Sequence, residues 1–177
     1  MPLTTPRLTL RRFRDEDAPA LAAYRSEPDV ARFKSWEAPV TPLTAQAWVR
    51  AFAAASPHAP GPFSYAVELT AERRLIGDVT VDLHQNLRQA ELGFTLAAGH
   101  QGRGYASEAV RAVLAELFDV RGLHRVSAEC DARNTRSAAL LERVGFTREG
   151  CRRQATWLKN EWTDDLLYGL LASDPRP

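Results

Sequence analysis

Between Phe63 and Leu117 the hydrophobic pattern changes period once, and it changes at a pair of glycines. Upstream, Phe63–Leu69, Leu75–Leu83 and Ala90–Leu96 read as three strands separated by the short polar links TAER and HQNLRQ. Strands at such close spacing predict an antiparallel meander. Downstream, Ala106, Ala109, Val110, Val113, Leu114 and Leu117 recur with a 3.6-residue period, which predicts a helix with one apolar face. The junction is HQGRGYASEA, residues 100–109. A chain built this way must turn a strand into a helix N-terminus. Gly102 and Gly104 either make a plain turn there or leave the backbone open to a bound phosphate.

The flanking segments extend the pattern. Arg7–Phe13 alternates like an edge strand, and Asp15, Glu16 and Asp17 open a helix through Leu21 and Tyr24. Residues 27–42 carry three prolines and read as loop or short helix. A helix follows from about Thr44 to Ala55, and SPHAPGP breaks it. Beyond the long helix, Arg125–Glu129 reads as a strand and Arg136–Val144 as a helix. Gly145 suits a left-handed cap, with Phe146 folding back. Strands near Thr147–Ala155 and Glu161–Leu171 complete the chain. The order predicts an α/β fold, a mixed and mostly antiparallel sheet flanked by helices. The 177 residues suit one domain, placed at 5–172, with a short tail at 173–177.

Several function classes recede on composition. A net charge of +1 argues against a dedicated nucleic-acid binder. No apolar run is long enough for a membrane span, and the N-terminus lacks the apolar stretch of a signal peptide. Cys130 and Cys151 read as reduced thiols of a cytoplasmic protein. The four histidines show no metal-ligand spacing, so no metal is expected. The glycine run lacks the lysine of a Walker loop and the third glycine of a dinucleotide fingerprint.

What the run does match is Q-x-x-G-x-A, written as Gln101, Gly104 and Ala106. This resembles the acyl-CoA pyrophosphate loop of the GNAT N-acetyltransferase superfamily. NTRSAALLERVGF (134–146) resembles a second motif of that superfamily. TPRLTLR (5–11), AELGFTL (90–96), GCRRQATWL (150–158) and DLLY (165–168) are similar to strands of its RimJ/RimL-like branch. The likeness runs from about residue 5 to residue 171.

The resemblance implies a sheet with splayed central strands and acetyl-CoA as cosubstrate. The backbone of Phe94, Thr95 and Leu96 would pair with pantetheine. Gln101, Gly102, Arg103, Gly104, Tyr105 and Ala106 would seat the pyrophosphate. A backbone N–H near Phe94 would hold the oxyanion. The thiol position, a tyrosine in many members, is Leu141 here, and Ser137 falls where RimL-like proteins place a serine. Asn134 would hold pantetheine or a water, or cap the helix. Glu91 is the candidate general base, sharing a strand face with Gly93 and Thr95. Where the branch can carry a carboxylate this chain has Thr156. Phe33, Trp36 and Trp48 lie in the segment that shapes the acceptor pocket in the family. The implied activity is direct acetyl transfer to a primary amine, on a protein N-terminus or a small molecule. A noncatalytic acyl-CoA-binding or regulatory module is the rival reading, and a homodimer is common among look-alikes.

Overall fold

The computed structural model describes residues 2–177. Eight strands form one sheet: β1 (Leu3–Thr4), β2 (Leu8–Arg11), β3 (Gly61–Leu69), β4 (Arg74–Leu83), β5 (Gln89–Leu96), β6 (Arg125–Asp131), β7 (Thr147–Leu158) and β8 (Glu161–Leu171). Their order across the sheet is β1-β2-β3-β4-β5-β6-β8-β7, and every neighbouring pair is antiparallel except β5–β6. The meander expected from the turn spacing is therefore β3-β4-β5, laid side by side in chain order.

Five α-helices cover the two faces: α1 (Ala18–Arg25), α2 (Pro28–Ala31), α3 (Pro42–Ala54), α4 (Tyr105–Ala115) and α5 (Thr135–Arg143). On one face the apolar stripe of α4 buries Ala109, Val110, Val113 and Leu114 against Val79, Val81, Leu92 and Val126. On the other, Leu21, Tyr24 and Val49 of α1 and α3 pack with Phe13, Ala66 and Leu75. Burial of such side chains is worth roughly 1.5–3 kcal/mol each, so these two layers supply most of the driving force for folding.

Boundaries differ from the sequence expectation for local reasons. Helix α3 starts two residues early because Thr41 Oγ1 accepts the Thr44 N–H at 3.1 Å and Pro42 takes the first helical position. The long helix leaves α geometry at Glu116–Val120, where a wider turn closes with Arg121 N–H donating to Glu116 O at 3.0 Å. Asp17 does more than open a helix: its buried carboxylate accepts two bonds from Arg11, the last residue of β2, at 2.7 and 2.8 Å. Gly145 has φ +107, with its N–H on Glu142 O and the Phe146 N–H on Leu141 O. That pair of bonds is a Schellman cap, and it turns Phe146 into the core.

Candidate active site

The site begins with a failure of pairing. Strand β5 pairs with β6 only through Gln89, Ala90 and Glu91, opposite Arg125, Val126 and Ser127. Beyond Glu91 the strands part, β5 staying with β4 and β6 with β8. The Ala97 N–H donates to Ile76 O at 2.9 Å, which fixes the alternation along β5. Phe94 and Leu96 therefore turn their backbone groups into the gap, and Thr95 turns its own toward β4. Thr95 so differs from its two neighbours, and its side chain lines a cavity instead.

The gap leads to the glycine loop. Gly102 and Gly104 have φ +72 and +82, a left-handed backbone that glycine adopts without strain. Gly104 is the N-cap of α4, and no side chain caps that helix. The amides that open α4 are thus left to a ligand or to water, with the helix dipole behind them. Arg103 is exposed beside them, and Ala106 packs against the core. Gln101 ties the loop to the strand: its Nε2 donates to Leu96 O at 2.9 Å, and Arg136 of α5 reaches its Oε1 at 3.5 Å.

A clamp holds the first turn of α4 in place. The Glu108 carboxylate accepts from Thr5 Oγ1 at 2.6 Å, from the Arg7 N–H at 3.0 Å and from Arg7 Nε at 2.7 Å. Burial alone would push its carboxyl up, but these bonds outweigh it and hold the pKa below the ordinary value. Arg7 also donates to Arg103 O at 3.0 Å, and its guanidinium lies 4.5 Å from the Tyr105 ring centroid. The segment TPR thus works as a brace for the loop, which its reading as a strand start did not disclose.

Across the gap, Asn134 caps α5, its Oδ1 accepting the Ser137 N–H at 3.2 Å. Ser137 is half-buried in the first turn, while Leu141 is in the core. Glu91 lies on the face of Gly93 and Thr95, as the alternation predicts, two residues beyond the cavity wall. Partial burial, with Glu129 and Asp82 nearby, pushes its carboxyl above the ordinary range. Thr156, at the position of the look-alike carboxylate, donates to the buried Asp165 at 2.7 Å.

A cavity of about 500 Å³ opens beside the gap, against Gly93, Phe94 and Thr95. Trp36 and Trp48 line it, with Phe52. Phe33 lies instead beside Arg32 and Arg133. Its floor is polar. Asp78 is 2% exposed and accepts from Tyr24 OH at 2.6 Å and Arg25 Nη2 at 3.0 Å. The Arg25 guanidinium stacks 4.4 Å from the Trp36 ring centroid and 5.0 Å from that of Trp48.

Lys34 completes the cavity, and the sequence pattern did not single it out. Its Nζ donates to Phe94 O at 2.8 Å, inside the gap. Burial pushes its ammonium below the ordinary value, with the Asp78 charge acting the other way. One signal was available: Lys34 and Lys159 are the only lysines in a chain rich in arginine. Among the described residues no His, Cys, Asp and Glu cluster could hold a metal ion, and no helix is long and apolar enough to cross a membrane.

Comparison with known proteins finds relatives along nearly the whole chain. Residues 7–147 match the Acetyltransferase (GNAT) domain family. A Bacillus subtilis protein named uncharacterized N-acetyltransferase YnaD is 30% identical over 174 residues, covering 98% of this chain and 99% of that one. The ribosomal protein uS5-alanine N-acetyltransferase of Escherichia coli is 29% identical over 182 residues, covering 99% and 93%. The crystal structure of a GNAT-family acetyltransferase from Bacillus anthracis superposes with a TM-score of 0.88 at 29% identity, covering 97% and 99%. The chain belongs to the GNAT family of N-acetyltransferases.

Proposed function

We propose that the protein transfers an acetyl group directly from acetyl-CoA to a primary amine, with no covalent enzyme intermediate, as a member of the RimJ/RimL-like branch. The observation that carries this reading is the β5–β6 gap ending at the uncapped N-terminus of α4. An extended pantetheine arm can pair with Phe94 and Leu96 as a strand would, while its pyrophosphate meets the amides of Gly102 to Ala106. The positive φ of both glycines supports this seat, since no Cβ stands between backbone and phosphate.

In this reading the Phe94 N–H holds the thioester oxygen as it becomes an oxyanion. Holding amine and thioester together supplies proximity, worth roughly 7–11 kcal/mol of barrier in favourable cases. Ser137 donates to the leaving sulfur, and Asn134 orients the first turn that carries it. Glu91 takes the ammonium proton, directly or through water, and its raised pKa suits a base working nearer neutrality than an ordinary carboxylate. The acceptor enters through the cavity beside Gly93. The named activity of the Escherichia coli relative supports a protein N-terminal α-amine. A volume of about 500 Å³, within the range of small-molecule pockets, supports a small amine as the second reading. Work in the cytoplasm as a homodimer is part of the same proposal.

Thiol release over a panel of peptides and small amines tests the activity. Turnover on at least one amine is expected, and tight coenzyme binding without turnover on any of them overturns it. In the same assay Ser137→Ala should lower kcat by about tenfold or more, a loss of ~1.4 kcal/mol in the transition state, with coenzyme affinity little changed. An unaltered rate removes Ser137 from the mechanism.

A further inference from the structure

The residue that offers its N–H to the thioester already holds an amine on its carbonyl. Lys34 Nζ sits 2.8 Å from Phe94 O. The backbone N–H and C=O of one extended residue project to the same edge, so both face the gap. Lys34 also lines the cavity assigned to the acceptor, together with Gly93, Phe94 and Thr95. Its Nζ lies 5.9 Å from the Trp36 ring centroid, and Trp36 is itself fixed at both ends. Trp36 Nε1 donates to Arg25 O at 3.0 Å, and Lys159 Nζ donates to Trp36 O at 2.8 Å.

From this geometry we propose that Lys34 occupies the seat of the acceptor amine, and that the protein acetylates it when acetyl-CoA is bound and no external amine is present. The inference rests on the coenzyme reading given above. The neutral Nζ attacks the thioester carbonyl carbon, and a C–N bond forms. The tetrahedral oxyanion collapses and the C–S bond breaks. The proton shed by nitrogen goes to the sulfur, so the products are free coenzyme A thiol and Nε-acetyl-Lys34. The coenzyme is the only co-reactant. Burial supports the step, because it favours the uncharged amine that attack requires. Acetylation leaves a non-nucleophilic amide in the cavity, which blocks the seat against an external acceptor.

The chain carries its own control. Lys159 is the only other lysine, and its ammonium is paired with Glu37 at 3.2 Å outside the gap. Purified protein is incubated with acetyl-CoA alone, and peptide mass spectrometry follows both lysines while calorimetry reports coenzyme binding. Lys34 should gain one acetyl group about tenfold faster than Lys159, at a rate constant independent of protein concentration. Preincubation should also slow later turnover of an external amine, and Lys34→Arg should abolish that slowing. Bound coenzyme with Lys34 unmodified, or with both lysines labelled equally, overturns the proposal alone. Absence of coenzyme binding overturns the site reading and the proposal with it.

Discussion

Gly104→Val weakens acetyl-CoA binding by about a hundredfold, ~2.7 kcal/mol, in calorimetric titration. Two effects add. Gly104 has φ +82, where a β-branched residue is a genuine outlier. The backbone must relax away from that angle, and the amides that follow it swing with it. A Cβ would also stand 3.3 Å from Arg7 Nη2, tight against the guanidinium that braces Arg103. Melting temperature separates loss of the seat from loss of the fold. Gly104→Ala should show a smaller loss in the same direction, since it keeps the φ strain and drops the branching. Unchanged affinity in Gly104→Val removes the loop from the coenzyme site.

Asp78→Ala should produce the largest loss of stability. Asp78 is buried between Tyr24 and Arg25, and Arg25 is itself 6% exposed. Removing the carboxylate strands a guanidinium among Trp36, Trp48 and Phe52. Breaking a buried pair from one side costs about 3–5 kcal/mol, which for a chain this long lowers Tm by roughly 6–20 °C. Tyr24 adds to the loss. Burial and the Asp78 charge keep its phenol protonated as a donor, and that donor loses its acceptor. Thermal denaturation of the single variant and of Asp78→Ala with Arg25→Met is the check. The double variant should recover part of the loss, because the uncompensated charge is gone. A double variant no more stable than the single one would attribute the effect to packing.

Legibility in the sequence followed from how local each feature is. The meander, α4 and the Schellman cap at Gly145 rest on periodicity and a few neighbouring residues, so they were readable. The glycine loop was readable as a turn or an anion seat, and its order after AELGFTL carried the family likeness. Long-range partners were not readable in the same way. The Thr5–Arg7–Glu108 brace joins residues a hundred positions apart, and Asp17 looked like a helix opener when Arg11 buries it as an ion-pair partner. The alternation that separates Thr95 from Phe94 and Leu96 depends on which edge β4 occupies, a property of the sheet. Lys34 lies in a proline-rich stretch with no period, and what places it is a bond to Phe94 O, sixty positions away in the chain. Alternation alone places Glu91 on the face of Gly93 and Thr95, but its raised pKa comes first from burial in the folded sheet and then from Glu129 and Asp82 on neighbouring strands.

The central claim is that acetyl-CoA lies along the β5–β6 gap with its pyrophosphate on the α4 N-terminus. Backbone amide NMR during titration with acetyl-CoA tests it most directly. The largest shifts should fall on Phe94, Leu96 and the amides of Gly102 to Ala106, with Thr95 smaller than both of its neighbours. Saturable binding that leaves those amides unmoved, with the shifts clustered elsewhere, would contradict it.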